Sequence, residues 1–301
     1  MRMGSRPPGV PQSRTDPLIG CAVGHWRVTR AIGRGGMASV YEAVDAAGGR
    51  VALKVMAPEV AADADAVARF FAEARVAAAV RHPGLVDVIA MAYLPDGRPF
   101  IAMEYLDGAP LGALLRRGLP LGSLAAAIVQ ALDALHAAHA CGVIHRDLKP
   151  DNLFVLRDGR AKLLDFGLAK LPAELGAGVP ATGDGRAMGT PPYMAPEYVR
   201  GGRHDARSDL YAMGVVLFEA STARLPFAAA DHRALFRLHV TATPPAPRSL
   251  RPDMPAGYES VILQALFKTP ELRFASAADM ADTLRKASRE LPAEAWAPLL
   301  R

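Results

Sequence analysis

Two carboxylates and an amide, Asp147, Asn152 and Asp165, have the types and spacing to hold a hydroxyl nucleophile and divalent metal ions around one phosphate chain. The first two lie in the run from His145 to Asn152, HRDLKPDN, and the third opens Asp165-Phe166-Gly167, eighteen residues after Asp147. Asp147 is the candidate to orient a substrate hydroxyl and accept its proton. Its spacing to Asn152 lets that amide reach a metal while also holding the loop. Asp165 suits a hard cation, which prefers carboxylate oxygen.

Such a set works only if other elements position it. The segments HWRVTRAIGRGG and MASVYEAVDA read as two strands joined by a glycine turn. Gly33, Gly35 and Val40 lie in that turn region, where the lack of side chains lets backbone N–H groups approach phosphates closely. Taken alone, a plain hairpin turn explains it as well. In GRVALKVM, alternation puts Val51, Leu53 and Val55 on one face and Lys54 on the other. Residues 62 to 81 switch to helical spacing, with Val67, Phe70, Phe71, Ala74 and Ala78 on a stripe, and Glu73 lies in that helix. VDVIAMAYL and RPFIAMEYL add two strands around a turn at Pro95-Asp96-Gly97.

The rest reads as mostly helical. Residues 123 to 141 start at a Ser123 cap and carry Ile128, Leu132 and Leu135 on one stripe. Short strands NLFVL and AKLLD separate the two aspartate loops. Residues 171 to 189 are small, Gly- and Pro-rich and aperiodic, so other groups must impose their shape. Ser208 to Glu219 is apolar on most faces, as in a buried helix, and Thr243 to Pro255 reads as a loop.

Taken in order, these motifs resemble the eukaryotic-like (Hanks-type) Ser/Thr protein kinases of bacteria over about residues 26 to 288. The resemblance implies an α+β bilobal fold: an antiparallel sheet with one main helix (26–103), a hinge (104–108) and a mostly helical lobe (109–288). Residues 1–25 would be a flexible tail and 289–301 a short extension. It also implies ATP with Mg2+ or Mn2+ at Asn152 and Asp165. Lys54 would contact the phosphates and pair with Glu73, and Lys149 would neutralise charge near the transferring phosphate. The nucleotide would touch Ile32, Gly33, Gly35, Val40, Ala52, the gatekeeper Met103, hinge residues Glu104 and Leu106, and Phe154 beneath the base. Ala38 stands where the family pattern usually has its third glycine, a departure limited to one methyl group.

On the acceptor side, Gly189 to Glu197, GTPPYMAPE, resembles the platform that receives a protein substrate. There Thr190 would contact Asp147 and Lys149, Glu197 would pair with Arg273, and Asp209 would accept backbone hydrogen bonds from the HRD loop. His145 is expected to be structural, packing under Phe166. Arg146 would receive a phosphorylated Thr182, and Asp184 would supply part of that charge constitutively.

Composition excludes less than the motifs do. A net charge of +5 and aromatics at 6% make a weak case for nucleic acid. Cys21 and Cys141 form no metal cluster or disulfide framework, which suits a reducing, cytoplasmic setting. There is no run of 18 apolar residues and no signal-peptide centre, so no transmembrane segment is expected in this chain. Related kinases often continue into a membrane segment and sensor; this chain is too short for either, as expected of a soluble kinase or of a trimmed piece of a longer one. The expected partners are proteins with serine or threonine acceptors and a second copy met transiently for trans-autophosphorylation. An aminoglycoside-type phosphotransferase would not need the GTPPYMAPE platform, and a pseudokinase scaffold would normally have lost Lys54, Asp147 or Asp165.

Overall fold

The computed structural model describes residues 16–115, 119–165, 190–202 and 204–300. Strands β1 (Ala22–Val23), β2 (Trp26–Arg34), β3 (Ala38–Val44), β4 (Arg50–Met56), β5 (Val88–Tyr93) and β6 (Pro99–Glu104) form one antiparallel sheet in the order β1-β2-β3-β4-β6-β5. Helix α1 (Pro58–Ala61) leads into α2 (Ala64–Ala79), which Asp63 starts by accepting from the N–H groups of Asp65 and Ala66. Alternation along β4 accounts for Val51, Leu53 and Val55, buried with Trp26, Tyr41 and Phe100. Its other face is buried too, because Met56 packs with Phe70, Ala74 and Ile101 beneath α2. The buried stripe of α2 is Ala66, Phe70, Ala74 and Ala77; Ala78, expected on it, is exposed.

Residues 16–25 are not simply tail. Leu18 and Val23 are buried at the end of the sheet core, and the Tyr41 hydroxyl donates to Asp16 at 3.0 Å. Two apolar side chains and a strand pairing therefore fix a segment whose composition looked unstructured.

The second lobe begins with β7 (Gly108–Pro110) and α3 (Leu111–Leu114), followed by α4 (Leu121–Ala140). A small sheet of β7, β8 (Leu153–Leu156) and β9 (Ala161–Leu163) lies over the helices. Then come α5 (Pro196–Val199), α6 (Ala206–Thr222), α7 (His232–Thr241), α8 (Pro247–Leu250), α9 (Ala256–Ala265) and α10 (Ala277–Ala287). Helices α4, α6, α9 and α10 bury one continuous apolar core. Helix α4 is long and apolar enough to cross a membrane, but most of it lies inside this core.

Ser123 does not cap α4. The helix begins two residues earlier behind Pro120, and the Ser123 hydroxyl donates to the Ala297 carbonyl at 2.7 Å. Gly122 explains the close approach there, since a Cβ on it would stand 2.5 Å from the Trp296 indole. The last residues thus lie as a strap across the start of α4. The expected loop Thr243–Pro255 contains one short helical turn, α8, which Pro247 begins.

Candidate active site

The loop from His145 to Asn152 is held from below by one acid. Asp209, near the start of α6, is almost fully buried. Its carboxylate accepts the His145 N–H at 2.8 Å, the Arg146 N–H at 2.9 Å and His139 Nε2 at 2.8 Å. Burial pushes its pKa up, but the hydrogen bonds from His139 and the Arg146 N–H help to outweigh it, leaving a net downward shift. Those contacts support Arg146 in the left-handed backbone region, at φ 67°. His145 has no exposed surface and donates from Nε2 to the Leu164 carbonyl at 2.9 Å, while its Nδ1 faces the Asp147 N–H at 3.4 Å. Burial lowers its pKa, so it is a neutral strut rather than a proton carrier.

Asp147 is thereby presented with both carboxylate oxygens engaged. Thr190 Oγ1 donates to Oδ1 at 2.9 Å, and Lys149 Nζ lies 3.4 Å from Oδ2. The buried Asn152 amide donates to the Asp147 carbonyl at 2.8 Å, which fixes the loop and leaves its own Oδ1 as an acceptor. Its carbonyl takes the Leu164 N–H at 2.9 Å, tying the loop to the end of β9 and hence to Asp165.

Asp165 is exposed, sits at φ 47°, and meets Lys54 Nζ at 2.7 Å. The sheet lobe thus reaches the helical lobe through this pair. Burial of Lys54 lowers its pKa, but the Asp165 charge and hydrogen bond and the Glu73 charge outweigh it, so the ammonium is held raised and protonated. Lys54 pairs with Asp165, and the Glu73 charge, expected beside it, also favours the ammonium. One carboxylate and one amide oxygen fit Mg2+, which usually takes one or two protein oxygens and completes its shell with phosphate and water. Among the described residues no cluster of three His, Cys, Asp or Glu offers a closed metal cage.

Across the sheet, Val40 pairs with Lys54 and Ala52 with Met103. Gly33 lies against Val40, and the Gly35 N–H closes the turn on the Ala38 carbonyl at 2.9 Å. Val40, Leu106 and Phe154 are half-buried and Ile32 is exposed. The Glu104 side chain goes elsewhere: it contacts the Asp87 N–H and Lys162.

On the acceptor side, Arg273 is completely buried and doubly bonded to Glu197, at 2.8 and 2.7 Å. Phe166, Gly167, Thr182 and Asp184 lie outside the described residues. Three groups escaped sequence reasoning: His139 beneath Asp209, Lys162 behind the hinge, and the Tyr193 hydroxyl that donates to Glu219 at 2.6 Å. Each is a lone residue within an apolar helix or strand, or a platform, and only the fold supplies its partner.

Thr190 joins the two halves of the site, which yields a prediction. Thr190→Ala removes the hydroxyl donor from Oδ1 of the half-buried Asp147 carboxylate, a loss of about 1–3 kcal/mol. Turnover in initial-rate assays should fall by about tenfold or more, whereas Thr190→Ser, which keeps the hydroxyl, should retain most of it. Equal rates for the two variants would separate Thr190 from the reacting loop.

Comparison with known proteins agrees with this geometry. The family described as the protein kinase domain matches residues 26–282. The chain is 44% identical over 280 residues to Serine/threonine-protein kinase Pkn1 of Myxococcus xanthus, covering 91% of this chain and 40% of that protein. It is 37% identical over 294 residues to Serine/threonine-protein kinase PknA of Mycobacterium tuberculosis, covering 94% and 66%. This chain therefore spans only part of such relatives, 52% in the case of Myxococcus xanthus pkn3. The crystal structure of the Mycobacterium tuberculosis PknI kinase domain matches with a TM-score of 0.66 at 29% identity, covering 91% of this chain and 100% of that one.

Proposed function

Because the chain belongs to the protein kinase domain family, we propose that it transfers the γ-phosphoryl group of ATP to serine and threonine hydroxyls of proteins. The observation that carries this reading is the Asp147 carboxylate, held by Thr190 and Lys149 and linked through Asn152 to the strand that delivers Asp165 to Lys54. Asn152 and Asp165 would hold Mg2+, which when bound would supply positive charge at the phosphates.

The chain's own residues do the rest. Asp147 orients the acceptor hydroxyl and takes its proton as the oxygen bonds to phosphorus. Lys149 offsets negative charge beside it, and Lys54 holds the phosphates that remain on the nucleotide. Catalysis comes from positioning and electrostatics rather than from a covalent intermediate. Adenine would lie between Val40 and Ala52 above and Phe154 below, bonded to hinge backbone groups. The two cysteines are free thiols, in keeping with a reducing cytoplasm, and phosphorylation of one copy by another would need only a transient dimer.

Initial rates with serine, threonine and tyrosine peptides and an aminoglycoside, at one ATP and Mg2+ concentration, test the assignment. Serine and threonine peptides should be accepted well above the others. Preference for the aminoglycoside would leave only a general phosphotransferase.

Arg146 supports a regulatory reading of the same site. Its Nε and Nη1 are buried and, among the described residues, have no hydrogen-bond partner, and the same holds for Nδ1 of His204; both side chains line one small cavity with Thr190 and Tyr198. Unsatisfied buried donors of this kind suit an incoming anion. Phosphate on Thr182 would pair with Arg146, and Asp184 would supply a weaker constitutive charge. Protein incubated with ATP should carry phosphate on Thr182 by mass spectrometry, and Thr182→Ala should slow substrate phosphorylation. An unmodified Thr182 in a fully active preparation would remove this switch.

A further inference from the structure

Behind the hinge lies a polar cluster, with its lysine buried, that none of the steps above uses. Glu104 ends β6, where its N–H donates to the Asp87 carbonyl at 3.0 Å. Its Oε1 accepts the Asp87 N–H at 2.8 Å and an ion pair from Lys162. Lys162 lies in the middle of β9, is 5% exposed, and also donates to the Leu85 carbonyl at 3.0 Å. The main chain reinforces these contacts. The Leu163 N–H donates to the Gly84 carbonyl at 2.8 Å, and the Val86 N–H donates to the Leu163 carbonyl at 3.3 Å.

Packing gives no reason for a lysine there. Ala161 and Leu163 on either side are buried as well, and a buried ammonium is costly unless fully paired. An apolar side chain of similar length would fill the same space. What the lysine adds is directed contact with two elements at once: the carboxylate at the hinge and the carbonyl of the connector behind α2. It does so from a strand whose chain reaches Asp165 three residues later.

We propose that Lys162 and Glu104 form a clasp that fixes the spacing between the two ends of the nucleotide site, the adenine edge at the hinge and the phosphate end at Asp165. The inference rests on the nucleotide reading above and makes Lys162 a positioning residue, since it touches neither substrate nor metal. A ligand that spans both ends gains from their fixed separation, because engaging the hinge already places its phosphates. A ligand that touches the hinge alone gains nothing from it.

Calorimetric titration of the whole chain with ATP–Mg2+ and with adenosine, for the unsubstituted protein, Lys162→Met, Glu104→Gln and the double variant, tests the clasp. Both single variants should bind ATP about tenfold more weakly, and adenosine within about twofold of the unsubstituted protein. The double variant should lose no more than either single one, as for two halves of one interaction. Charge alone predicts a different pattern: removing a cation would weaken ATP binding and removing an anion would strengthen it. ATP affinities that move in opposite directions, or ATP and adenosine affinities that fall alike, would overturn the clasp while leaving the kinase reading intact. No binding of either ligand by the unsubstituted protein would overturn both. Should Lys162→Met fail to fold, Glu104→Gln, on a half-buried side chain, carries the same comparison.

Discussion

Lys54→Met and Asp165→Asn should each lower phosphoryl transfer by about a hundredfold or more, the scale seen when one preorganised electrostatic group is removed from a reacting centre. The two residues meet at 2.7 Å, yet their loss should act differently. Lys54→Met removes a cation held protonated, against its burial, by the Asp165 and Glu73 charges, so phosphate positioning suffers while the metal-binding oxygens remain. Asp165→Asn removes the charged metal ligand and leaves a largely buried ammonium with weaker compensation, so it should also lower thermal stability. Initial rates across a range of Mg2+ concentrations, with melting curves on the same preparations, separate the two. Only Asp165→Asn should be partly rescued by excess metal. Turnover like that of the unsubstituted protein in either variant, once its fold is checked, would remove the assigned roles.

How much of this was legible in sequence depends on whether a residue's partner is local or distant. Asp147, Asn152 and Asp165 announce themselves because metal and phosphate chemistry constrains residue type and spacing within one short stretch. The sheet lobe was readable because alternation in β4 and helical spacing in α2 are local patterns. Distance hid the remainder. That β4 is covered on both faces depends on α2 packing beneath it, and alternation alone describes only one face. Ser123 has the chemistry of a helix cap but finds a carbonyl 174 residues away. Residues 16–25 look like tail until Leu18 and Val23 meet the sheet. Lys162 carried no signal, since one lysine in a three-residue strand points to no partner until the hinge folds against it.

Arg273→Met should cost about 3–5 kcal/mol of stability, the usual scale for breaking a buried ion pair by removing one partner. The guanidinium has no exposed surface, donates twice to Glu197, and also satisfies the carbonyls of Phe267, Arg207 and Lys268. Methionine fills much of the volume but donates to none of those acceptors. The loss should depend on pH. Burial pushes the Glu197 pKa up, but the Arg273 hydrogen bonds and charge, with Ser208, more than offset it, so the carboxyl is held below its ordinary value in the folded protein. A carboxyl depressed on folding contributes stability above its unfolded pKa and loses it as pH falls through the folded one. Without Arg273 only Ser208 and a backbone contact oppose burial, so the variant forgoes most of that contribution near neutrality. The gap in denaturant-derived stability between the unsubstituted protein and Arg273→Met should therefore be widest near pH 7 and shrink toward about pH 3. A gap constant across that range would mean the arginine acts by packing alone, and that Glu197 anchors the acceptor platform without help from its charge.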